Sequence, residues 1–283
     1  MTKTWFITGA SRGLGTEIAK AALKAGDNVV ATARNSERLA QAIGPHGTNL
    51  ADDRLLSVDL DVTKPAQAEA AVAAAVQRFG GIDVLVNNAG YGHLGFFEEA
   101  SDEDIRTQFE TNVFGLLQVT QAVLPVMRKA KHGRIFNLSS IGGLRGVEFG
   151  SLYCATKFAV EGFSESLAQE VAPFGIFVTI IEPGPFRTDF LTAESLRFGG
   201  KTIADYDTRR TTLRNAFEQR HGKQPGDPAR LAQAMVQLAA EEKPPLRFVA
   251  GAFAVDMAKT KLAGMGAEFD RWRDLALGTD YAA

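Results

Sequence analysis

Short apolar runs alternate with longer segments in which apolar residues recur every three or four positions. The runs predict strands buried on both faces, and the longer segments predict helices. Regular alternation of the two is typical of an α/β fold built on a parallel sheet. The predicted strands are 4–8, 28–33, 55–60, 82–86, 134–138, 177–181 and 246–250. The predicted helices are 16–25, 65–79, 102–129, 151–172 and 227–240, followed by one or two helices over 257–277.

The alternation breaks after the sixth predicted strand, where residues 186–226 mix aromatic side chains with charged ones. A long insertion above the carboxyl ends of parallel strands is where a substrate lid would lie. Residues 252–283 are predicted to form a C-terminal helical extension that packs on the domain or on a partner subunit. We therefore predict one doubly wound domain over residues 1–283, with seven parallel strands, helices on both faces and a lid after strand six.

Composition and charge narrow the class of protein. The 283 residues carry a formal net charge of −2, which argues against a nucleic-acid or anionic-membrane partner held by bulk electrostatics. The single cysteine, Cys154, can form no internal disulfide and is predicted to pack inside a helix. No apolar run approaches the roughly 18 residues of a membrane span, and the first residues do not resemble a signal peptide. These features predict a soluble cytoplasmic protein.

The histidines are scattered without the spacing of metal ligands, so no metal site is predicted. They are His46, His93, His132 and His221. We expect His93 to be a solvated loop residue, and we expect Glu98 and Glu99 to be solvated loop charges.

A glycine-rich turn follows the first predicted strand and leads directly into the first predicted helix. Strand, glycine turn and helix in this order place a pyrophosphate against a helix N-terminus, where glycines let the backbone approach the phosphates. The glycines follow the spacing G-x-x-x-G-x-G rather than the commoner G-x-G-x-x-G. The turn predicts a dinucleotide site formed by Gly9, Ser11, Arg12, Gly13, Leu14 and Gly15.

The end of the second predicted strand indicates which dinucleotide binds. Dinucleotide folds usually place an acid about 20 residues past the glycines, where it binds the ribose 2′-hydroxyl. Arg34 stands at the strand end instead, and an arginine suits a 2′-phosphate, with Arg12 as a second clamp. The pattern favours NADP over NAD, and the alternative is that Arg34 is a solvated surface residue.

A hydroxyl, a phenol and an ammonium converge between the fifth predicted strand and the helix that follows it. Ser140 leaves the strand end, and Tyr153 and Lys157 lie one helical turn apart on one face. A free tyrosine, with a pKa of about 10, is a poor acid or base near neutrality, and a nearby ammonium lowers that pKa. Ser140 could hold a substrate oxygen beside the phenol, which outlines an acid–base site. The alternative is a surface tyrosine and lysine on an ordinary amphipathic helix.

Seven short motifs occur in order along the chain, and they include both the glycine turn and the acid–base residues described above. They are Thr8-Gly9-x-x-x-Gly13-x-Gly15, Asp61-Val62, Asn87-Asn88-Ala89-Gly90, Asn112, Ser140, Tyr153-x-x-x-Lys157 and Pro183-Gly184-x-x-x-Thr188. Over residues 3–190 the chain resembles the classical short-chain dehydrogenases/reductases (SDRs). The resemblance implies a Rossmann fold, a small-molecule carbonyl or alcohol substrate, and a homodimer or homotetramer formed through the helices that hold Asn112 and Tyr153.

The resemblance also implies roles for the catalytic residues. Tyr153 would be the general acid/base and Ser140 would hold the substrate oxygen. Lys157 would activate the tyrosine and bind a ribose, while Asn112 would support a water in a proton relay from Lys157. Ser140 is chosen over Ser139 because the family's serine stands thirteen positions before its tyrosine.

Further resemblance-based assignments concern the cofactor. Asp61 and Val62 would contact the adenine, and Asn88 would contact the adjacent ribose or pack on a strand. The remaining implied cofactor contacts, which include the nicotinamide end, are Ala89, Gly90, Pro183, Gly184, Phe186 and Thr188.

Apolar side chains near these motifs bear on the substrate. Leu144, Phe149 and Phe190 are predicted to line its pocket, together with neighbouring apolar residues of the same loops. They favour an apolar substrate, although ordinary packing is the alternative for each. The amino-acid sequence of residues 153–168 most resembles that of hydroxysteroid and retinol dehydrogenases.

The sequence thus predicts an NADP-dependent oxidoreductase that transfers a hydride between nicotinamide and a carbonyl or secondary alcohol. Two alternatives remain open at this point. One is a regulatory protein that binds NADP without turning it over, and the other is an epimerase or dehydratase on the same fold.

Overall fold

Seven strands form one parallel sheet in the computed structural model, which describes residues 2–44, 53–192 and 195–281. In chain order the described strands are β1 (Thr4–Ile7), β2 (Asn28–Ala33), β3 (Leu55–Asp59), β4 (Val84–Asn87), β5 (Gly92–Leu94), β6 (Gly133–Leu138), β7 (Ile176–Pro183), β8 (Leu196–Phe198) and β9 (Arg247–Ala250). The sheet order is β3-β2-β1-β4-β6-β7-β9, and every neighbouring pair is parallel. This confirms the predicted seven-stranded sheet. His46, residues 193 and 194 of the predicted lid and the C-terminal residues 282 and 283 lie outside the described residues.

Helices cover both faces of the sheet, as predicted. They are α1 (Gly13–Lys24), α2 (Glu37–Ile43), α3 (Pro65–Phe79), α4 (Asp102–Phe109), α5 (Gly115–Ala130), α6 (Ser151–Val171), α7 (Asp207–Arg220), α8 (Pro228–Ala240) and α9 (Ala252–Leu277). A π-helical turn, Glu110–Phe114, separates α4 from α5, so the continuous helix predicted over 102–129 is divided in two. In the described part of the chain, no helix combines the length and apolar character that crossing a membrane requires.

Local signals in the sequence explain where several helices begin and end. Pro65 occupies the first turn of α3, where its missing N–H costs nothing, and Gly80 ends the helix in the left-handed region with φ of 83°. The Asp227 side chain caps α8 by accepting backbone hydrogen bonds from Ala229 and Arg230.

Alternate residues of β1 supply two separate cores. Trp5 and Ile7 pack against α1, α2 and α8 on one face, whereas Phe6 packs with residues of α3, α5 and α6 on the other. All four residues of the strand are buried. The strand is therefore a continuous apolar run, because neither face meets water.

The carboxyl ends of four strands bring the predicted site residues to one edge of the sheet. β2 and β4 lie on either side of β1. The chain adds β2 and β3 on one side of β1 and then β4, β6 and β7 on the other side, and this reversal of strand order opens a crevice above the strand ends. The glycine turn follows β1, Asn88 follows β4, Ser140 follows β6, and Pro183 ends β7.

The insertion after β7 has regular structure that the sequence pattern does not predict. β8 pairs in parallel with β5 as a separate two-stranded sheet, and α7 follows. The sequence predicts a break in the alternation here but assigns no element within it. β8 has only three residues, and the 14-residue α7 buries none of its side chains, so neither carries a periodic apolar signal.

Candidate active site

Ser140, Tyr153 and Lys157 come together above the carboxyl end of β6. Tyr153 and Lys157 lie in the first two turns of α6, and the Lys157 Nζ atom is 5.8 Å from the centre of the Tyr153 ring. Ser140 follows β6 in an extended conformation, and its side chain shares a hydrogen bond with the Tyr153 phenol. A hydroxyl, a phenol and an ammonium thus occupy the same side of the crevice.

Burial dominates the ionisation of the phenol and the ammonium. Burial raises the pKa of Tyr153 to about 12, although the hydrogen bond with Ser140 acts to lower it. Burial lowers the pKa of Lys157 to about 8, and the Glu161 carboxylate acts to raise it. The net lowering of the phenol pKa expected from the sequence is therefore wrong, because removal from water is the larger effect. At neutral pH the phenol keeps its proton.

The backbone of β6 holds Lys157 in place. Lys157 is 8% exposed, and its Nζ donates a hydrogen bond of 2.6 Å to the Leu138 carbonyl oxygen. Ser139, between that strand and Ser140, is buried, and its hydroxyl lies on the side of Gly143 and Glu161 rather than beside the phenol. Of the two serines, Ser140 is the one that contacts Tyr153.

Asn112 lies in the π-helical turn and is almost completely buried. Its Nδ2 atom donates to the Tyr91 carbonyl oxygen at 2.9 Å and to the Thr156 hydroxyl at 3.2 Å, while its Oδ1 atom accepts from the Tyr91 N–H at 3.1 Å. The amide therefore joins the loop after β4 to α6. A π-helical turn in an α-helix often marks a functional site, and here it aims this side chain at the loop.

The glycine turn makes a close backbone cradle at the start of α1. Gly9 and Gly13 have φ of 65° and 57°, which favours glycine, and a Cβ atom on Gly15 would lie 2.4 Å from the Gly9 carbonyl oxygen. In the described residues the N-cap side chain makes no capping hydrogen bond to the first N–H groups of α1, and the first turn of the helix carries no acid. Uncapped helical N–H groups beside glycines form an anion site, so the cradle fits the phosphates of a dinucleotide.

A cleft of about 450 Å³ opens beside this cradle. The residues Ser11, Arg12 and Gly13 line it on one side, and Arg187 and Thr188 line it on the other. Leu14, the turn's apolar residue, packs against the core face that α1 covers. The cleft thus carries two arginines and also two acids, Glu17 and Asp189, so its fit to an anion rests on the N–H groups at the start of α1 and on the arginines nearest to them.

Asn88 fixes the glycine turn to β4. Its Nδ2 atom donates to the carbonyl oxygens of Thr8 at 2.9 Å and Gly9 at 3.0 Å. The backbone N–H groups of Asn88 and Ala89 both donate to the Thr8 hydroxyl at 3.0 Å. Gly90 follows beside the Asn112 amide, where a Cβ atom would be 3.1 Å from Oδ1. The contacts of Asn88 in the structure are those of strand packing.

The residues predicted to bind the adenosine half of the cofactor lie in different environments. Asp61 accepts hydrogen bonds from the N–H and the hydroxyl of Thr63, and Val62 is buried against Gly115. Arg34 is exposed at the end of β2 and is not among the residues that line the cleft.

The end of β7 and its following turn border the crevice from the opposite side. Pro183 is paired with Ala250 in the sheet, and Gly184 faces Ala254 at the start of α9. The ring of Phe186 packs over Gly226 and Gly251, whereas Thr188 lies against Gly13 across the cleft.

Apolar residues of the insertion cover Tyr153. The Phe190 ring lies 5.7 Å from the Tyr153 ring, and Leu144 is half-buried after the short 3₁₀ turn that follows Ser140. Phe149 is buried with Leu94 and Leu196 in a small cluster under the insertion. Its φ of 69° is rare for a residue with a side chain, so the surrounding contacts hold it there.

Two groups predicted to be solvated are buried under the insertion. His93, in β5, is 2% exposed, and its Nε2 atom lies 3.4 Å from Asp104 Oδ1. Glu99 is also 2% exposed; its Oε1 atom pairs with Arg210 of α7 at 2.7 Å and accepts from the Ile203 N–H at 2.8 Å. Both predictions are wrong because β8 and α7 fold over these loop residues. Cys154, in contrast, is buried as predicted.

A buried charge cluster lies behind Lys157, and the sequence pattern did not predict it. Arg247 of β9 pairs with Glu182 at 2.6 Å and also contacts Glu161 and Glu165 of α6. Burial and the neighbouring Glu161 raise the pKa of Glu182 to about 7, against the hydrogen bond from Arg247. In the sequence, the one-turn spacing of Lys157 and Glu161 indicates that these two side chains share a helix face, but it does not indicate that Arg247 joins them. In residues 2–44, 53–192 and 195–281, no group of three or more His, Cys, Asp or Glu side chains is placed to hold a metal ion.

Sequence comparison gives the chain's relatives. The profile of a family described as short chain dehydrogenase matches residues 3–197. The chain is 40% identical over 280 residues to Oxidoreductase BOA17 of Botryotinia fuckeliana, with 99% of this chain and 100% of that protein covered. It is 38% identical over 260 residues to a 3-ketodihydrosphingosine reductase of Bacteroides thetaiotaomicron, with 90% of each covered.

Solved structures agree with the sequence relatives. A short-chain dehydrogenase from Streptomyces avermitilis matches with a TM-score of 0.87 at 40% identity, over 99% of each chain. ElxO with NADP bound matches with a TM-score of 0.72 at 28% identity, over 90% of this chain and all of that one. A 3-ketoacyl-(acyl-carrier-protein) reductase from Brucella melitensis, complexed with NADH, matches with a TM-score of 0.71 at 29% identity, over 88% and 95%. The chain belongs to the short-chain dehydrogenase/reductase family and is an oxidoreductase of that family.

Proposed function

We propose that this protein is an NADP-dependent reductase or dehydrogenase that interconverts a carbonyl and a secondary alcohol on an apolar substrate. The observation that carries the proposal is the convergence of Ser140, Tyr153 and Lys157 beside the phosphate cradle of α1. A proton donor, an oxygen holder and a dinucleotide cradle at one sheet edge are the parts that carbonyl reduction requires.

The cradle and its neighbours would hold the cofactor. The uncapped N–H groups of α1, with Arg12 and Thr188, would take the phosphates, and the backbone after β7 would border the nicotinamide end. When bound, the nicotinamide supplies or accepts the hydride, which is chemistry that the side chains cannot perform.

The protein's own residues handle the proton. In reduction, Tyr153 Oη gives its proton to the substrate oxygen, and the phenol's raised pKa means that the proton is present at neutral pH. Ser140 donates a hydrogen bond to the same oxygen, which favours the developing negative charge. The Lys157 ammonium then favours the phenolate left behind, and oxidation of an alcohol runs through the same groups in reverse.

Arg34 supports NADP as the cofactor. It stands at the end of β2, where an acid would favour the ribose hydroxyl of NAD, and its exposed guanidinium is available to a 2′-phosphate. The relatives' solved structures include both cofactor forms, so the preference rests on the chain's own residue.

The apolar character of the insertion supports the substrate class. The Phe190 ring lies tilted beside the Tyr153 ring, and Leu191, Leu196 and Phe198 continue the apolar surface away from it. We propose that residues 186–226 form a lid over the substrate. A relative named for reducing 3-ketodihydrosphingosine, a ketone, is in keeping with this class. The hydroxysteroid and retinoid likeness of residues 153–168 stays a prediction.

Cofactor titration tests the proposal. NADPH and NADH are titrated against wild type, Arg34→Ala and the control Arg128→Ala, whose arginine is exposed at the far end of α5. Loss of one charged hydrogen bond predicts that Arg34→Ala weakens NADPH binding by about tenfold to a hundredfold and leaves NADH binding unchanged. Equal loss for both cofactors, or none for either, would refute the assignment of Arg34. Reduction of ketones of increasing alkyl length, followed by the loss of NADPH absorbance, then tests the substrate class.

A further inference from the structure

Helix α9 is the longest helix in the described chain and buries very few of its residues. It has 26 residues, so it is about 39 Å long, and its buried residues are Ala254 and Ala258 in the first two turns. Residues 266–281 are all exposed. A helical segment gains most of its stability from packing an apolar face, and this face has no cover within the described subunit.

The exposed part of α9 carries a stripe of apolar residues with coiled-coil spacing. Its members, which we call the α9 stripe, are Leu262, Met265, Phe269, Trp272 and Ala276. They recur at alternating intervals of three and four, the heptad pattern of a helix that packs against another helix. Leu262, Phe269 and Trp272 are 67%, 66% and 52% exposed. Contiguous exposed apolar residues of this kind mark interaction surfaces.

We propose that the α9 stripe is the contact surface for a second copy of this chain, in which the two α9 helices pack in parallel. In a parallel pair, residues of the same number face each other across the stripe. Glu268 and Arg273 flank the stripe on opposite sides and are five residues apart. That spacing places Glu268 of one copy beside Arg273 of the other, twice over, so the surface is complementary to itself in charge.

The charges of α9 disfavour a lipid surface as the occupant. Helices that bind membranes from the side are basic on their polar face, because anionic lipids attract them. α9 has as many acids as bases, namely Asp256, Glu268, Asp270 and Asp274 against Lys259, Lys261, Arg271 and Arg273. The surface is also separate from the one that family resemblance implies, which lies on α5 and α6.

Disulfide cross-linking reports this contact directly. Cys154 is the sole cysteine and is buried, so one added cysteine gives one reporter. Ala276→Cys lies in the stripe, and Ala267→Cys lies on the opposite side of the helix, with both alanines exposed. Under mild oxidation we expect covalent dimers from Ala276→Cys and not from Ala267→Cys. The readout is independent of any association through α5 and α6. Equal cross-linking of the two variants, or none, would overturn the proposal.

Charge reversal tests the parallel orientation. Glu268→Arg should weaken dimerisation in sedimentation equilibrium by about tenfold, and adding Arg273→Glu to it should restore the wild-type value. Arg271→Glu, on the solvent side, is the matched control and should have no effect. A double variant no better than Glu268→Arg contradicts the pairing. Co-flotation with phosphatidylcholine–phosphatidylserine vesicles, in place of dimerisation, would assign the stripe to lipid and overturn the proposal.

Discussion

Helices α6 and α9 are the two longest in the described chain, and they distribute their side chains in opposite ways. α6 buries the charged residues Lys157 and Glu161, whereas α9 exposes Phe269 and Trp272 to solvent. Each arrangement costs free energy in an isolated subunit, because buried charges lose their hydration and exposed apolar surface stays in water. Buried charges and exposed apolar residues therefore mark the places where a helix has a function besides stabilising the fold.

The two helices differ in whether the rest of the chain compensates. On α6, the Leu138 carbonyl accepts from Lys157, and Arg247 pairs with Glu161, so the buried charges have partners within the subunit. The exposed apolar residues of α9 have no cover in the described subunit. We infer that α6 was shaped by chemistry inside the molecule and α9 by contact outside it.

The largest effect on turnover is expected at Tyr153, the proposed proton donor on α6. Tyr153→Phe removes the proton donor while keeping the ring, so kcat should fall by about a thousandfold with little change in cofactor affinity or melting temperature. The measurement is steady-state reduction of a ketone substrate with NADPH, with thermal unfolding of the same preparation.

Tyr281→Phe is the matched control. The Tyr281 side chain is fully exposed and lies outside the proposed lid, so turnover of this variant should stay near that of wild type. Near-normal turnover of Tyr153→Phe would contradict the proposed mechanism and would leave the burial of Lys157 without a catalytic reason.

The next effect concerns the stability of the buried charges. Arg247→Leu leaves the carboxylates of Glu161 and Glu182 without their cation. Loss of one partner of a fully buried ion pair costs about 3 to 5 kcal/mol, and the partial exposure of Arg247 should bring the cost below that range. Urea unfolding should show this decrease in the free energy of unfolding. Arg271→Leu, on the exposed face of α9, should change it by less than about 0.5 kcal/mol. Equal effects of the two variants would mean that the cluster is not set apart by burial.

The same cluster predicts how stability depends on pH. Glu182 has a pKa of about 7 in the folded protein against 4.5 as its ordinary value. A raised carboxyl pKa favours the protonated form, so its contribution is full below pH 4.5 and is lost as pH rises towards 7. The loss of stability should stay below about 3 kcal/mol, because solvent reaches the partly exposed Arg247 and screens its interaction with Glu182. Glu182→Gln should flatten this slope, and an unchanged slope would exclude Glu182 as its source.

The features that the sequence predicts are those encoded by neighbouring residues. The buried strands, the glycine turn and the pair Tyr153 and Lys157 each lie within a short segment, so periodicity or a motif is sufficient to find them. The charge cluster joins Arg247 to Glu161 across 86 positions, and Glu99 meets Arg210 across 111. Such contacts depend on the finished fold, which is why these glutamates could not be separated from solvated charges by pattern alone.

The smallest predicted effect lies within α6 itself and separates a buried acid from an exposed one. Glu161 lies one turn beyond Lys157 and acts to raise the lysine pKa, which stands at about 8. If the ammonium must be charged to favour the phenolate, reductive activity falls as pH rises through this value. Glu161→Gln removes the negative charge, so the lysine pKa drops and the alkaline limb of kcat/KM should move to lower pH. Glu165→Gln, one turn further and half exposed, is the control and should leave the limb in place. A shift towards higher pH, or equal shifts in both variants, would show that Glu161 does not set the charge of Lys157.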